Sequence, residues 1–165
     1  MKKKIDDVRK ALKNETYYCA LALALTFPDI CCHIENGLSA EQNAIGKQYI
    51  NWVNTHIDSD FFQFPATGFN VQTFGGEMCY SLRCKVLHAG HTDVTNKRLN
   101  VTVDKFKLTF PDDPDYFHGF RYMNNHNGET ITHIGIDYLC ECLCDAAEKF
   151  YNSWSNKADF NNFSF

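Results

Sequence analysis

A stripe of apolar residues with the period of an α-helix dominates the C-terminal part of the chain and limits its possible folds. The stripe consists of Ile136, Leu139, Cys140, Leu143, Ala147, Phe150 and Trp154. The residues predicted to face away from it are Glu141, Asp145, Glu148 and Lys149. Residues three and four apart share one face of a helix, so this segment is predicted to be a helix with one buried side. Such a helix needs other elements to cover that side, which favours a helix bundle.

The same period recurs in the first half of the chain. It predicts a helix that begins near Ile5 and continues through the apolar segment 17–27, which is predicted to be a central core helix. A short helix is predicted to follow Phe27-Pro28, another to end near Ile57, and a third long helix to cover 73–89. Together these segments predict a mainly α protein built as an antiparallel helix bundle.

Between the last two long helices, at about 98–134, the apolar period changes from helical spacing to two. Alternating residues here are Leu99, Val101 and Val103, followed by Phe106, Leu108 and Phe110. Further on, Asn127-Gly128 between two apolar runs is typical of a β-hairpin turn. We therefore expect a small antiparallel β insertion that leans on the helices. The final residues, 155–165, are predicted to form a loose tail unless their phenylalanines pack against the bundle.

Length and composition fit a single domain over 1–165. Hydrophobic residues make up 44% of the chain and aromatic residues 15%, which excludes an intrinsically disordered protein. The formal net charge is −4. A chain of this sign does not attract nucleic acid through its overall field, so any nucleic-acid chemistry must come from a local site.

The eight cysteines indicate a reduced protein rather than a disulfide framework. Most lie in apolar, helix-like segments, and Cys140, Cys142 and Cys144 alternate in a way that suits core filling better than zinc ligation. The first residues carry charge where a signal peptide would be apolar, and the apolar run at 17–27 is too short to span a bilayer. These features predict a cytoplasmic protein that does not associate with a membrane.

Arg83 breaks the pattern of the predicted 73–89 helix. One quarter of the helix circumference is predicted to face solvent and carries Glu77, Ser81, Lys85 and His88. Arg83 lies instead within the apolar arc, between Cys79 and Leu87. Because a guanidinium stays charged, it must find a carboxylate, carbonyl groups, a ligand or a partner surface. One alternative is therefore a structural ion pair with Glu77 or with an acid on another helix.

Five residues separate Arg83 from His88, which follows in the same helix. Side chains five positions apart point about 140° away from each other in a straight α-helix. The two could meet if the helix unwinds near 87–90, which Gly90 allows, or if two chains pack so that each contributes to one cleft.

The segment 79–90 resembles the Arg-x4-His signature of the HEPN superfamily, on the corresponding long helix of a small bundle. Pro28-Asp29-Ile30-Cys31 and Tyr49-Ile50-x-Trp52 are also similar to small bacterial proteins of that type. The resemblance implies a HEPN-like helical domain and a homodimer. It also implies a metal-independent endoribonuclease, of a kind found in toxin–antitoxin, abortive-infection and CRISPR-linked systems.

The resemblance further implies that Arg83 and His88 are catalytic and that no cofactor or metal is needed. RNA would be cleaved by attack of its own 2′-OH, with His88 moving protons and Arg83 stabilising the phosphorane. Candidate supporting residues are Cys84, Glu77, Ser81, Lys85 and His91. An antitoxin or other regulatory protein would be a further partner.

Cys84 departs from the family pattern, in which a polar residue often follows the arginine. This leaves open a second interpretation, a non-catalytic HEPN-like module that binds RNA, a nucleotide or a protein. Metal binding by His88, His91 and Asp93 lacks recognisable further ligands, and a nucleophilic pair of Cys84 and His88 lacks an orienting acid.

Overall fold

A computed structural model describes residues 1–37, 45–57, 75–89, 106–124 and 130–163 of the chain. The protein is mainly helical and carries a small three-stranded sheet. The described helices are α1 (Lys2–Lys13), α2 (Tyr17–Ala24), α3 (Phe27–Asn36), α4 (Ile45–His56), α5 (Gly76–Ala89) and α6 (Ile136–Ser153). The strands are β1 (Phe106–Thr109), β2 (Phe120–Asn124) and β3 (Thr130–Gly135), and a 3-10 helix covers Lys157–Phe163.

Helix α6 forms the centre of the bundle, as its apolar stripe predicts. Helices α1, α2 and α3 all pack against it, and Leu139 and Leu143 are fully buried. The helix ends at Ser153, so that Trp154 caps it in extended conformation. Cys142 is also buried, although the wheel places it away from Cys140 and Cys144. Because helices cover α6 from several sides, its buried face is wider than the stripe alone predicts.

The prediction of one helix from Ile5 through the apolar segment 17–27 is wrong, because the chain turns after α1. Glu15 adopts a left-handed backbone with φ 58°, which ends α1 and redirects the chain. The amide and the hydroxyl of Thr16 both donate to the carbonyl of Ala11, each at 2.9 Å. These hydrogen bonds close the turn before α2 begins at Tyr17.

Helices α2 and α3 together form one long apolar stretch. Tyr17–Asn36 is long and apolar enough, by length and composition alone, to cross a membrane, and half of it is buried within the fold. The break between the two helices lies at residues 25–26, and Pro28 occupies the first turn of α3. Proline is accepted there because the first amides of a helix have no partner within the helix.

Along the chain, the three strands follow α5 and precede α6, in the region where the period of two predicts strands. They form one sheet with strand order β1-β3-β2. Strands β2 and β3 are antiparallel, in a register that pairs Asn124 with Thr130. Strand β1, however, pairs parallel to β3, so the expectation of an entirely antiparallel insertion is wrong. A period of two predicts strands but not their neighbours. Residues 99–103 and the Asn127-Gly128 turn lie outside the described residues.

The segment after α6 packs back onto the bundle instead of fraying. Phe160 is buried, with ring centroids 4.8 Å from Tyr151 and 6.3 Å from Phe150. The indole of Trp154 donates to Asp159 at 2.8 Å, which fixes the start of the 3-10 helix. Of the tail predicted at 155–165, the described part up to residue 163 is therefore ordered by aromatic packing.

All eight cysteines lie in described segments, and all are free thiols. Six are buried, Cys84 is partly exposed and Cys19 is exposed. The prediction that most of them act as small core residues is confirmed.

Candidate functional site

Helix α5 carries the candidate site and is held by a close approach to α4. The amide of Gly76 donates to the side chain of Asn54 at 2.7 Å, and Gly76 lies directly against the backbone of Ile50. Further along, the hydroxyl of Tyr49 donates to the carbonyl of Leu25 at 3.2 Å and lies 3.3 Å from Cys79 Sγ. These contacts fix α5 against α4 and α2, and thereby set the position of Arg83.

Arg83 forms an ion pair with Asp29 in the first turn of α3. Its Nε donates to Asp29 Oδ2 at 3.0 Å. The two side chains are 22% and 16% exposed, so the pair is neither at the surface nor fully buried. Of the two predicted structural ion pairs, the one with an acid on another helix is therefore observed. That acid is Asp29, and not Glu77.

Tyr80 and Cys84 adjoin the ion pair on the same helix. We call Asp29, Tyr80, Arg83 and Cys84 the Arg83 cluster. The centroid of the Tyr80 ring lies 5.3 Å from that of the buried Tyr49, so the cluster packs against the aromatic core. Cys84 interacts with both Tyr80 and Arg83. The charge of Arg83 thus lies at the edge of a tightly packed apolar region.

Electrostatics in the cluster keep Arg83 charged. Burial acts to lower the pKa of Arg83, but the carboxylate of Asp29 and the neighbouring Cys84 raise it above its ordinary value. Burial, with contributions from Cys84, also raises the pKa of Tyr80. Arg83 can therefore stabilise an anion through its charge and its hydrogen bonds, but it cannot act as a general acid.

The predicted solvent face of α5 needs a correction at Ser81. This residue is buried in the folded chain, so it is not on the solvent face. Glu77 and Lys85 are partly exposed, as a solvent-facing side requires. Leu87, predicted within the apolar arc, is 36% exposed. The buried side of α5 is thus rotated relative to the one predicted from the wheel.

The backbone of His88 belongs to the last turn of α5, whereas its side chain lies outside the described part of the structure. Because α5 continues to Ala89, it does not unwind between Arg83 and His88. The two residues therefore leave the helix about 140° apart, and unwinding before residue 90 cannot bring them together within one chain. Gly90, His91 and Asp93 also lie outside the described residues.

The arrangement offers a fixed cation at a partly exposed position, supported by packed aromatic side chains. Such a group suits binding of a phosphate or carboxylate, since a guanidinium presents several donors in one plane. Within the described segments, no group of three or more His, Cys, Asp or Glu side chains is placed to hold a metal ion.

Sequence reasoning did not single out Asp29 as the partner of Arg83. The two residues are separated by 54 positions, and helix periodicity predicts faces but not which faces meet. The one available signal is an acid in the first turn of a helix, where the helix dipole favours negative charge.

No family of known proteins, no curated protein and no solved structure matches the chain.

Proposed function

We propose that this protein is a metal-independent endoribonuclease of HEPN type that cleaves RNA at a cleft between two copies of the chain. Its setting would be the bacterial cytoplasm, in defence or in a toxin–antitoxin system with an antitoxin or regulatory protein as partner. The observation that carries the proposal is Arg83, a permanent cation held by Asp29 at a partly exposed position on α5. His88 follows on the same helix.

The proposed chemistry uses the RNA's own 2′-OH as the nucleophile. One histidine takes the proton from the 2′-OH, and the oxygen attacks phosphorus while the bond to the 5′-oxygen breaks. A proton returned to that 5′-oxygen completes the reaction, leaving a 2′,3′-cyclic phosphate and a 5′-hydroxyl. Arg83 stabilises the extra negative charge of the pentacoordinate phosphorane. Asp29 acts as a positioning residue, because its carboxylate holds Nε of Arg83.

Two chains are needed because the helix separates the two motif residues. Leu87 lies four positions after Arg83, hence on nearly the same face, and is one of the exposed large apolar side chains. An isologous contact between α5 helices would cover Leu87 and bring Arg83 of one chain toward His88 of the other.

A cleavage assay with EDTA present tests the enzymatic proposal. We expect Arg83→Gln and His88→Gln each to reduce the cleavage rate at least about 100-fold. Arg9→Gln is the matched control, because Arg9 also forms interhelical ion pairs, with Asp145 at 3.0 Å and Glu148 at 2.8 Å. Its activity should equal that of the wild type under conditions where each variant is folded. Wild-type protein that cleaves none of several RNAs would contradict the proposal.

Sedimentation of the Leu87→Asp variant tests the dimer. A charge at this position should convert dimers to monomers and abolish cleavage, while Phe117→Asp, at another exposed apolar position, should leave both unchanged. A monomeric wild-type protein with full activity would exclude a cleft between two chains.

A second candidate is a non-catalytic HEPN-like module that binds RNA, a nucleotide or a protein. The ion pair favours it, since Asp29 already offsets part of the charge of Arg83. Cys84, in place of a polar residue, favours it too. This candidate predicts RNA binding that Arg83→Gln weakens, with no cleavage by the wild type.

A further inference from the structure

A groove of about 790 Å³ opens between the α1–α2 turn and the loop that follows β1. It shares no residue with the Arg83 cluster. Phe110 lines it, and its ring centroid lies 6.0 Å from that of Tyr17 and 5.1 Å from that of Tyr18. Tyr18 is 59% exposed, more than the other large hydrophobic side chains of the described segments. The groove thus presents aromatic side chains to solvent.

Three acidic residues line the groove together with these aromatic rings. Glu15 lies in the α1–α2 turn, and Asp112 and Asp113 lie in the loop after Phe110. Asp113 accepts a hydrogen bond from the amide of Phe110 at 2.8 Å, which fixes the loop. Among the described residues that line the groove, none is Lys or Arg. The groove therefore combines aromatic side chains with carboxylates in its lining.

The negative charge of these carboxylates also affects the pKa of Tyr17. Burial, and then the carboxylates of Glu15, Asp137 and Asp112, raise the pKa of Tyr17 above its ordinary value. Negative charge thus reaches the aromatic rings and disfavours a further anion there.

We infer that this groove is a binding site for a small organic cation, such as a quaternary ammonium or a protonated amine. Faces of aromatic rings attract cations, most strongly where carboxylates supply further charge. The volume lies within the range of small-molecule sites, which favours a free amine over a protein tail as the occupant. The inference does not depend on the proposed nuclease activity.

Calorimetric titration of the whole chain at low salt tests the inference. The probes are choline, tetramethylammonium and spermidine, with dimethylbutanol as the uncharged isostere of choline. We expect at least one cation to bind saturably and dimethylbutanol to bind at least tenfold more weakly. Tyr18→Ala and Asp112→Asn should each weaken cation binding about fivefold, and Tyr18→Phe should restore it, since Phe keeps the aromatic face.

Glu141→Gln is the matched control, because Glu141 is an exposed acid on α6 outside the groove, and it should bind like the wild type. Circular dichroism verifies that each variant is folded. Failure of all three cations to bind would overturn the inference. Equal binding of dimethylbutanol would contradict the inference by showing that the groove binds apolar groups without regard to charge. Binding of a lysine-rich peptide, but of none of the three cations, would contradict it in favour of a protein-docking surface.

Discussion

At the scale of single residues, the ion pair between Arg83 and Asp29 is the feature with the largest consequences. It crosses from α5 to α3 and lies at the edge of the core. Pairs fully exposed to water contribute little, because water screens them, whereas partly buried pairs cost more to break. The same pair holds the cation proposed to contact RNA, so this contact links the stability of the fold to the proposed function.

A double-mutant cycle measures this pair directly. From Asp29→Ala, Arg83→Ala and the double variant we expect a coupling of about 1–2 kcal/mol in the free energy of unfolding, from urea titrations. The control cycle uses Asp7 and Lys10, a pair 3.8 Å apart with side chains 46% and 72% exposed, and should give less than about 0.5 kcal/mol. Equal couplings would show that the ion pair contributes no more than a surface pair.

Asp137, in the first turn of α6, predicts acid-sensitive stability. It accepts hydrogen bonds from Tyr116 at 2.6 Å and His118 at 2.9 Å, and a third from the amide of Tyr138. Burial acts to raise its pKa, but these three donors together lower it below the ordinary value of 3.8. A lowered pKa in the folded state means that the carboxylate stabilises the fold above the unfolded pKa, and that this contribution is lost as the pH falls.

We therefore expect Asp137→Asn to be less stable than the wild type at pH 5, with a difference that shrinks as the pH falls below 3.8. Urea unfolding at several pH values between 5 and 2 measures it. Asp6→Asn, at an exposed position on α1, is the control, and its difference from the wild type should stay small throughout. A constant difference for Asp137→Asn would show that its ionisation is not coupled to folding.

At the scale of elements, the close approach of α4 and α5 decides where the candidate site lies. A Cβ at Gly76 would come within 2.3 Å of the carbonyl oxygen of Ile50, a distance that the backbone of α4 cannot relieve without moving. Only glycine at this position lets the start of α5 contact α4.

We expect Gly76→Ala to lower the free energy of unfolding by about 2–3 kcal/mol, through overpacking against the backbone. Gly46→Ala is the matched control: its added Cβ would come within 3.0 Å of the Tyr80 side chain, which can shift, so the change should stay within about 1 kcal/mol. Urea midpoints of both variants provide the comparison. A Gly76→Ala variant as stable as the wild type would show that α4 and α5 separate easily.

The sequence predicts the helices better than their ends and their partners. The stripe of α6 is unambiguous because its period extends over five turns, and it is confirmed. The turn at Glu15 carries no glycine or proline, so it has no signal that periodicity can detect. The parallel pairing of β1 and the contact of Arg83 with Asp29 depend on tertiary packing, which local patterns do not encode.

At the scale of the whole molecule, the buried thiols show how tightly the bundle is closed. Burial raises the pKa of Cys31 and Cys140 well above the ordinary value. The remaining buried thiols, each with a pKa raised by burial to about 12, are Cys32, Cys79, Cys142 and Cys144. Because the thiolate is the reactive form, these six groups are protected both by packing and by ionisation.

Alkylation with iodoacetamide at pH 8, followed by mass spectrometry, tests this closure. Cys19 should react first, Cys84 more slowly, and the six buried cysteines only as the protein unfolds. In urea all eight should react quickly, which serves as the control. Early labelling of Cys140 or Cys144 in the native protein would mean that α6 is more accessible than its burial indicates.

The central place of β3 in the sheet has a consequence for how the chain is made. Strands β1 and β2 each pair with β3 and not with one another, and β3 is the last of the three along the chain. During translation, both earlier strands emerge from the ribosome before their shared partner exists. Since β3 leads at Gly135 directly into α6, the sheet and the innermost helix become available almost together. A nascent chain halted before residue 130 would therefore hold two unpaired edges, a target for chaperones and proteases.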